Sequence, residues 1–105
     1  MPLKTNEYEI EQGFDYVAED WWKWWLLIKA TDADLDKIDY VIYTLHPTFI
    51  NPVQKITDRA SCFRLETEGW GTFTIFAQLH LKDDSLISLQ HELYLEYPDG
   101  SQNLD

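Results

Sequence analysis

The chain contains little cysteine and little basic charge. It has one cysteine in 105 residues, Cys62, so no disulfide can form within it and no cysteine cluster can hold a metal. Only 8 Lys and Arg oppose 19 Asp and Glu, which gives a formal charge of −11. Nucleic acids and anionic membranes both attract basic surfaces, so this balance argues against either as a partner. The charge favours a basic partner, but it is explained equally well by the need to keep an aromatic-rich chain in solution.

Long apolar runs are also missing. The longest aromatic-aliphatic run, residues 21–28, is too short to span a bilayer and contains Lys23. The first seven residues lack the apolar core of a signal peptide, so the cytoplasm is the expected location. An apolar content of 45% and an aromatic content of 15% exclude a disordered chain. At this length we expect one domain covering residues 1–105.

Signals for catalysis are absent as well. The chain has no Gly-x-Ser-x-Gly elbow, and its four scattered glycines form no phosphate-binding loop. The acidic segment 31–37 lacks the glycine and the closing glutamate of a calcium loop. His80 and His91 flank one predicted hairpin, but their strand phases send them to opposite faces, which disfavours a shared metal. We therefore expect no enzyme, no metal site and no cofactor.

What the sequence does contain is alternation of apolar residues with period two, the pattern of half-buried strands. It predicts strands over residues 7–18, 21–30, 38–45, 61–65, 70–81 and 87–95, with 53–60 as a loop or a short edge strand. Six or seven short strands separated by turn signals predict an all-β protein, an antiparallel β-sandwich of immunoglobulin-like architecture. A small barrel is the alternative.

Several connections between the predicted strands contain residues that are typical of helix caps, bulges or turns. Thr31 or Asp32 is expected to cap a single helical turn. Gly13 is expected to mark a bulge or turn within the first strand. Residues 66–69 are expected to turn the chain, and 83–85 to form a hairpin turn. The tail, residues 101–105, is expected to be frayed.

Two predicted loops carry residues that a core does not require. His46, Thr48 and Phe49 follow one strand, and Trp70 stands between two glycines at the end of another. Two rings across a narrow slot can sandwich a flat or cationic group, and a hydroxyl with backbone amides can orient an amide. In the alternative interpretation, which composition alone slightly favours, Trp70 and Phe49 simply pack over the end of the sandwich.

These segments resemble YEATS domains. Residues 45–52, Leu-His-Pro-Thr-Phe-Ile-Asn-Pro, resemble the family's Leu-His-x-Ser-Phe/Tyr-x-x-Pro segment. Residues 69–73, Gly-Trp-Gly-Thr-Phe, resemble its Gly-Trp/Tyr-x-x-Phe loop, and residues 89–93 its Leu-x-His-x-Leu strand. The resemblance covers roughly residues 20–97 and is greatest to the prokaryotic branch of the family.

The resemblance implies an immunoglobulin-like sandwich that acts as a non-catalytic reader of acyl-lysine of the acetyl or crotonyl type. Phe49 and Trp70 would sandwich the acyl group, and Thr48 would bond its amide in place of the usual Ser. The implied ligand-binding residues are His46, Thr48, Phe49, Gly69, Trp70, Gly71 and Phe73. An upstream aromatic that closes the pocket in some relatives falls near Asp20, with Trp21 adjacent but out of register.

The implied partner is an acylated-lysine peptide or another protein, expected to be basic. The alternative is a protein-interaction or signalling module that keeps the fold but does not bind acyl-lysine.

Overall fold

The computed structural model describes residues 8–49 and 51–103, which form two antiparallel sheets. The strands are β1 (Glu9–Ala18), β2 (Trp21–Lys29), β3 (Ile38–Thr44), β4 (Val53–Ile56), β5 (Leu65–Gly69), β6 (Thr74–Leu81) and β7 (Leu86–Glu92). A short helix α1 (Asp32–Leu35) and a 3-10 turn (Arg59–Ser61) connect them. One sheet has the order β1-β2-β5 and the other β4-β3-β6-β7. The predicted all-β sandwich is confirmed.

β2 supplies much of the core from the centre of the smaller sheet. Because side chains alternate along a strand, only every second residue of its aromatic-rich run has to be inside. The buried face of β2 consists of Trp22, Trp24, Leu26 and Ile28. They belong to one core cluster with residues of the other sheet, including Val41, Tyr43, Ile75, Ala77 and Leu79. Burial along β2 alternates with period two, as the sequence predicts.

The prediction for residues 61–69 is wrong in two respects. Cys62 and Phe63, expected in a strand, have φ of 60° and 59°, in the left-handed region. The buried Phe63 carbonyl accepts a 2.8 Å hydrogen bond from the Tyr43 hydroxyl, a tertiary contact that fixes the backbone there. The segment expected as a turn is instead β5, because pairing with β2 supplies its hydrogen-bond ladder.

Gly13 does not form a bulge. It pairs in register with Trp25, and the irregularity in the β1–β2 ladder lies further on, between Tyr16 and Ala18. The Trp25 indole lies across the glycine, since a Cβ at position 13 would come within 2.3 Å of the ring. Gly13 is therefore required by a neighbouring side chain and not by its own backbone conformation.

Two strand starts also differ from the prediction. A register shift between Ile38 and Tyr40 turns Ile38 into the core, although strict alternation along the strand would put it on the same face as the half-buried Tyr40. β6 begins at Thr74, so residues 70–73 form a loop and not the beginning of the strand, as was predicted.

Backbone hydrogen bonds hold the segment that ends at Asn103. Glu96 and Gln102 form an antiparallel bridge, and the Asn103 N–H donates to the Leu95 carbonyl at 2.9 Å. Asn103 is only 4% exposed. The prediction of a frayed tail is therefore wrong for residues 101–103. Residues 7, 50, 104 and 105, which the strand, turn and tail predictions included, lie outside the described residues.

The predicted cap and hairpin turn are confirmed. The Thr31 hydroxyl accepts from the Asp34 N–H at 3.2 Å and caps α1. In the β6–β7 turn, the Ser85 N–H donates to the Asp83 carboxylate at 2.9 Å. These hydrogen bonds satisfy backbone donors that a helix start and a tight turn leave unpaired.

The two histidines of the β6–β7 hairpin lie on opposite faces, as their phases predict. His80 stacks on Tyr40 with ring centroids 4.4 Å apart, while half-buried His91 contacts Gln12 at 2.6 Å. Within residues 8–49 and 51–103, no three His, Cys, Asp or Glu side chains are grouped closely enough to hold a metal ion. In the same part of the chain, no helix is long and apolar enough to cross a membrane.

Candidate functional site

A cavity of about 710 Å³ opens where the loop after β3 meets the loop after β5. Parts of β4, β5 and the start of β2 complete its wall. The sequence-predicted residues that line it are His46, Thr48, Phe49, Trp70, Gly71 and Phe73. Gly69 does not line it, because it is buried at the end of β5. The two loops singled out from the sequence therefore do form one concave site.

His46 and Thr48 form a fixed pair at the mouth of the cavity. The Thr48 backbone N–H donates to His46 Nδ1 at 3.2 Å, and the Thr48 hydroxyl lies 3.0 Å from the same nitrogen. Since an amide N–H can only donate, Nδ1 acts as an acceptor, and the hydroxyl also donates its proton to it. The imidazole proton is then on Nε2, and the hydroxyl oxygen keeps its lone pairs for another donor.

Aromatic rings form the inner end of the site. Phe73 contacts the rings of Phe49, His46 and Trp24, with centroids 5.4, 6.0 and 5.8 Å apart. Trp24 also meets Phe49 edge-on at 6.1 Å. These edge-to-face contacts hold Phe49 and Phe73 in place. The inner end of the cavity is therefore lined by apolar rings that pack against one another.

Trp70 provides the exposed wall. Its side chain is 58% exposed, an unusual state for a tryptophan that is not used for packing. The Trp70 carbonyl accepts a 3.0 Å hydrogen bond from the Asn103 side-chain amide. Because Asn103 is buried, the returning tail anchors the backbone of the Trp70 loop while leaving the indole open.

Trp21 and Glu68 are cavity residues that sequence reasoning did not identify. The Trp21 indole N–H donates to the Glu68 carboxylate at 2.7 Å, and both residues line the cavity. In the sequence, Trp21 lies beside the position of a closing aromatic but out of register with it. No signal in the sequence joins residues 47 positions apart, and only the pairing of β2 with β5 brings them together.

The floor beneath the site contains one unsatisfied donor. Among the described residues, the buried Trp24 Nε1 has no hydrogen-bond partner. A buried N–H without a partner costs about 1–3 kcal/mol. A Cβ built at Gly69 would lie 3.8 Å from both this nitrogen and the Phe49 ring, which is an ordinary contact. Space alone therefore does not require a glycine at position 69.

An antiparallel sandwich whose end loops enclose an aromatic-walled cavity with one oriented hydroxyl is an immunoglobulin-like binding module. Comparison with known proteins gives the family. The model of the prokaryotic YEATS domain matches residues 22–94, so the chain belongs to the YEATS family, whose domains are non-catalytic binding modules.

Individual proteins are similar to the chain in sequence or in fold. Transcription initiation factor TFIID subunit 14 of Schizosaccharomyces pombe is 34% identical over 55 residues, which make up 52% of this chain and 22% of that protein. The yeast AF-9 homologue Yaf9 superposes with a TM-score of 0.68 at 22% identity, over 86% of this chain and 66% of that one. The Yaf9 YEATS domain bound to H3K27ac gives 0.66 at 20% identity, over 91% and 75%. This chain thus spans about a fifth of the fission yeast subunit.

Proposed function

We propose that the chain is a reader module that binds an acylated lysine, or a similar flat amide, in the slot between Phe49 and Trp70. The observation that carries the proposal is the Thr48 hydroxyl, held at 3.0 Å by His46 Nδ1 at the mouth of an aromatic slot. The structures of the Yaf9 YEATS domain, one bound to H3K27ac and one recognising an H3K122suc peptide, support a peptide ligand.

The polar part of the site suits a secondary amide. With its proton donated to His46, the Thr48 oxygen can accept from the N–H of an acyl-lysine amide. The backbone N–H groups of the Trp70–Gly71 turn are the proposed donors to the acyl carbonyl. A free lysine ammonium has no carbonyl and needs several acceptors at once, so the same site discriminates against the unmodified side chain.

The apolar part suits a flat acyl chain. An acetyl or crotonyl group between the Phe49 and Trp70 rings buries both of its faces, and a planar crotonyl group gains the most contact. The closely packed Phe73 limits how far the chain can extend. The preferred ligands are therefore short, planar acyl groups.

A titration of the intact chain with acetyl-lysine, crotonyl-lysine and unmodified lysine peptides tests the proposal. We expect saturable quenching of tryptophan fluorescence by the acylated peptides and none by the unmodified one. Trp70→Ala should weaken binding at least about 30-fold, the loss expected for an aromatic hot spot. Phe76→Ala is the matched control, since Phe76 is 48% exposed on a different face.

The alternative function has its own outcome in this experiment. If no acylated peptide binds up to millimolar concentration while the chain remains folded, the module keeps the YEATS fold for another protein interaction. Equal effects of Trp70→Ala and Phe76→Ala would also reject the slot.

A further inference from the structure

We infer that the cavity continues as a peptide groove along the free edge of β5, where an extended basic segment adds a strand and places a cationic side chain on Glu68. The inference rests on the proposed function, because the same ligand would carry the acylated lysine in the slot. It adds the chain direction and the charge of the residues that flank this lysine.

The free edge of β5 forms one side of the cavity. In the part of the chain that the structure describes, β5 pairs with β2 alone. Four consecutive residues of the strand, 65–68, line the cavity, and Gln54 of the edge strand β4 lies on the opposite sheet. An edge strand presents backbone donors and acceptors at alternate residues, which an extended peptide can pair with.

The acidic residues of β5 are not equivalent. Glu66 accepts from the Arg64 guanidinium at 2.5 Å, and that guanidinium lies over the Trp25 ring with its carbon 4.9 Å from the ring centroid. The guanidinium of Arg64 thus compensates the charge of Glu66. Glu68 instead accepts from the neutral Trp21 indole at 2.7 Å, which orients the carboxylate without cancelling its charge.

Among the described residues, Lys23 forms no ion pair with Glu68. It is the cross-strand neighbour of Glu68 on β2. Among the described residues, however, the cations found in ion pairs are Lys37, Arg59 and Arg64. Glu68 therefore keeps its charge for a group that approaches along the edge of the strand.

Charge also selects the occupant of the groove. A second copy of this chain would bring a formal charge of −11 and a second pair of glutamates to the same edge. Like charges placed side by side on neighbouring strands are destabilising. A segment with Lys or Arg beside the acylated lysine has the complementary charge, and the groove lies next to the loop that carries Trp70.

The test compares three crotonyl-lysine ligands on the wild-type chain: a single capped residue, a peptide with Arg flanking the lysine, and the same peptide with Ala for Arg. The capped residue tests the slot alone and so tests the proposed function separately. We expect the Arg peptide to bind more tightly than the capped residue, and two- to fivefold more tightly than the Ala peptide, as for an exposed ion pair.

Two variants, each of which removes one negative charge, show which glutamate causes the preference for Arg. Glu68→Gln should abolish the preference for Arg, whereas Glu66→Gln should leave it unchanged. N-methylation of successive peptide amides should weaken binding at alternate positions only, because alternate amides face β5. An equal loss in both variants, or N-methyl effects without alternation, would overturn the inference even if the capped residue binds.

Discussion

Thr48 shows how a single side chain can be prepared for its ligand. Its backbone N–H and its hydroxyl both lie within hydrogen-bonding distance of His46 Nδ1, at 3.2 and 3.0 Å. The hydroxyl is therefore oriented before binding, and little rotational freedom remains to be lost when an amide arrives. Thr in place of the family's usual Ser keeps this hydroxyl and adds a methyl group.

Removing only the hydroxyl tests this role. Thr48→Val keeps the shape of the side chain and should weaken binding of a crotonyl-lysine peptide about 2- to 12-fold, the value of one hydrogen bond. Because Thr48 is exposed, we expect the free energy of unfolding to change by less than about 0.5 kcal/mol. Calorimetric titration measures the first quantity and urea unfolding the second.

Thr48→Ser is the control for this change. It retains the hydroxyl and should bind nearly as well as the wild-type chain. If Val and Ser at position 48 bind equally well, the hydroxyl does not bond the ligand.

At the scale of elements, strands with burial on one face follow directly from the sequence. β2 and β6 were predicted with the correct phase because alternate residues are large and apolar. β5 was missed because Glu66, Thr67 and Glu68 carry no apolar pattern. As an edge strand it gains its structure from pairing with β2, an interaction that local sequence does not encode.

The sequence predicted part of the candidate site, just as it predicted part of the fold. The loop residues His46, Thr48, Phe49 and Trp70 follow from aromatic and hydroxyl groups at strand ends. Trp21 and Asn103 could not be predicted, because the hydrogen bonds that join them to Glu68 and Trp70 link residues distant in sequence. The left-handed Cys62 and Phe63 were missed because neither residue type favours that conformation.

The packing of Trp25 on Gly13 joins β1 to β2 and leaves no space for a side chain at position 13. Gly13→Ala would place a Cβ within 2.3 Å of the indole, so the ring must move. We expect a loss of about 1–3 kcal/mol in the free energy of unfolding, as for other overpacked sites. Urea unfolding with an unchanged m-value is the measurement.

Gly69→Ala is the control for Gly13→Ala. Its added Cβ would make ordinary contacts at 3.8 Å, so stability should change little. If the two variants unfold at the same urea concentration, the packing of Trp25 does not constrain position 13.

For the whole molecule, Gln12 joins the two sheets at one edge. Its amide donates to the Tyr94 carbonyl at 2.7 Å, and its oxygen accepts from the Tyr94 N–H at 2.8 Å. His91 lies 2.6 Å from the same oxygen, so His91 Nε2 is the donor. Burial lowers the pKa of His91 below its usual value, and the charge of Glu92 opposes this shift only in part.

This shift predicts how stability depends on pH. Because the pKa of His91 is lower in the folded chain, the unfolded chain binds the proton more readily, and stability falls as pH drops from about 7 through 6.5. Gln at position 91 can donate to Gln12 without titrating, so His91→Gln should flatten the profile between pH 5 and 7. Urea midpoints at several pH values measure both curves. Parallel curves would show that His91 does not contribute.

The central claim is that an acyl group lies between Phe49 and Trp70. Intermolecular nuclear Overhauser effects, measured on the isotope-labelled chain with an unlabelled crotonyl-lysine peptide, test it most directly. We expect contacts from the crotonyl methyl and vinyl protons to both the Phe49 and Trp70 rings. Contacts to only one ring, or to residues outside the cavity, would contradict it.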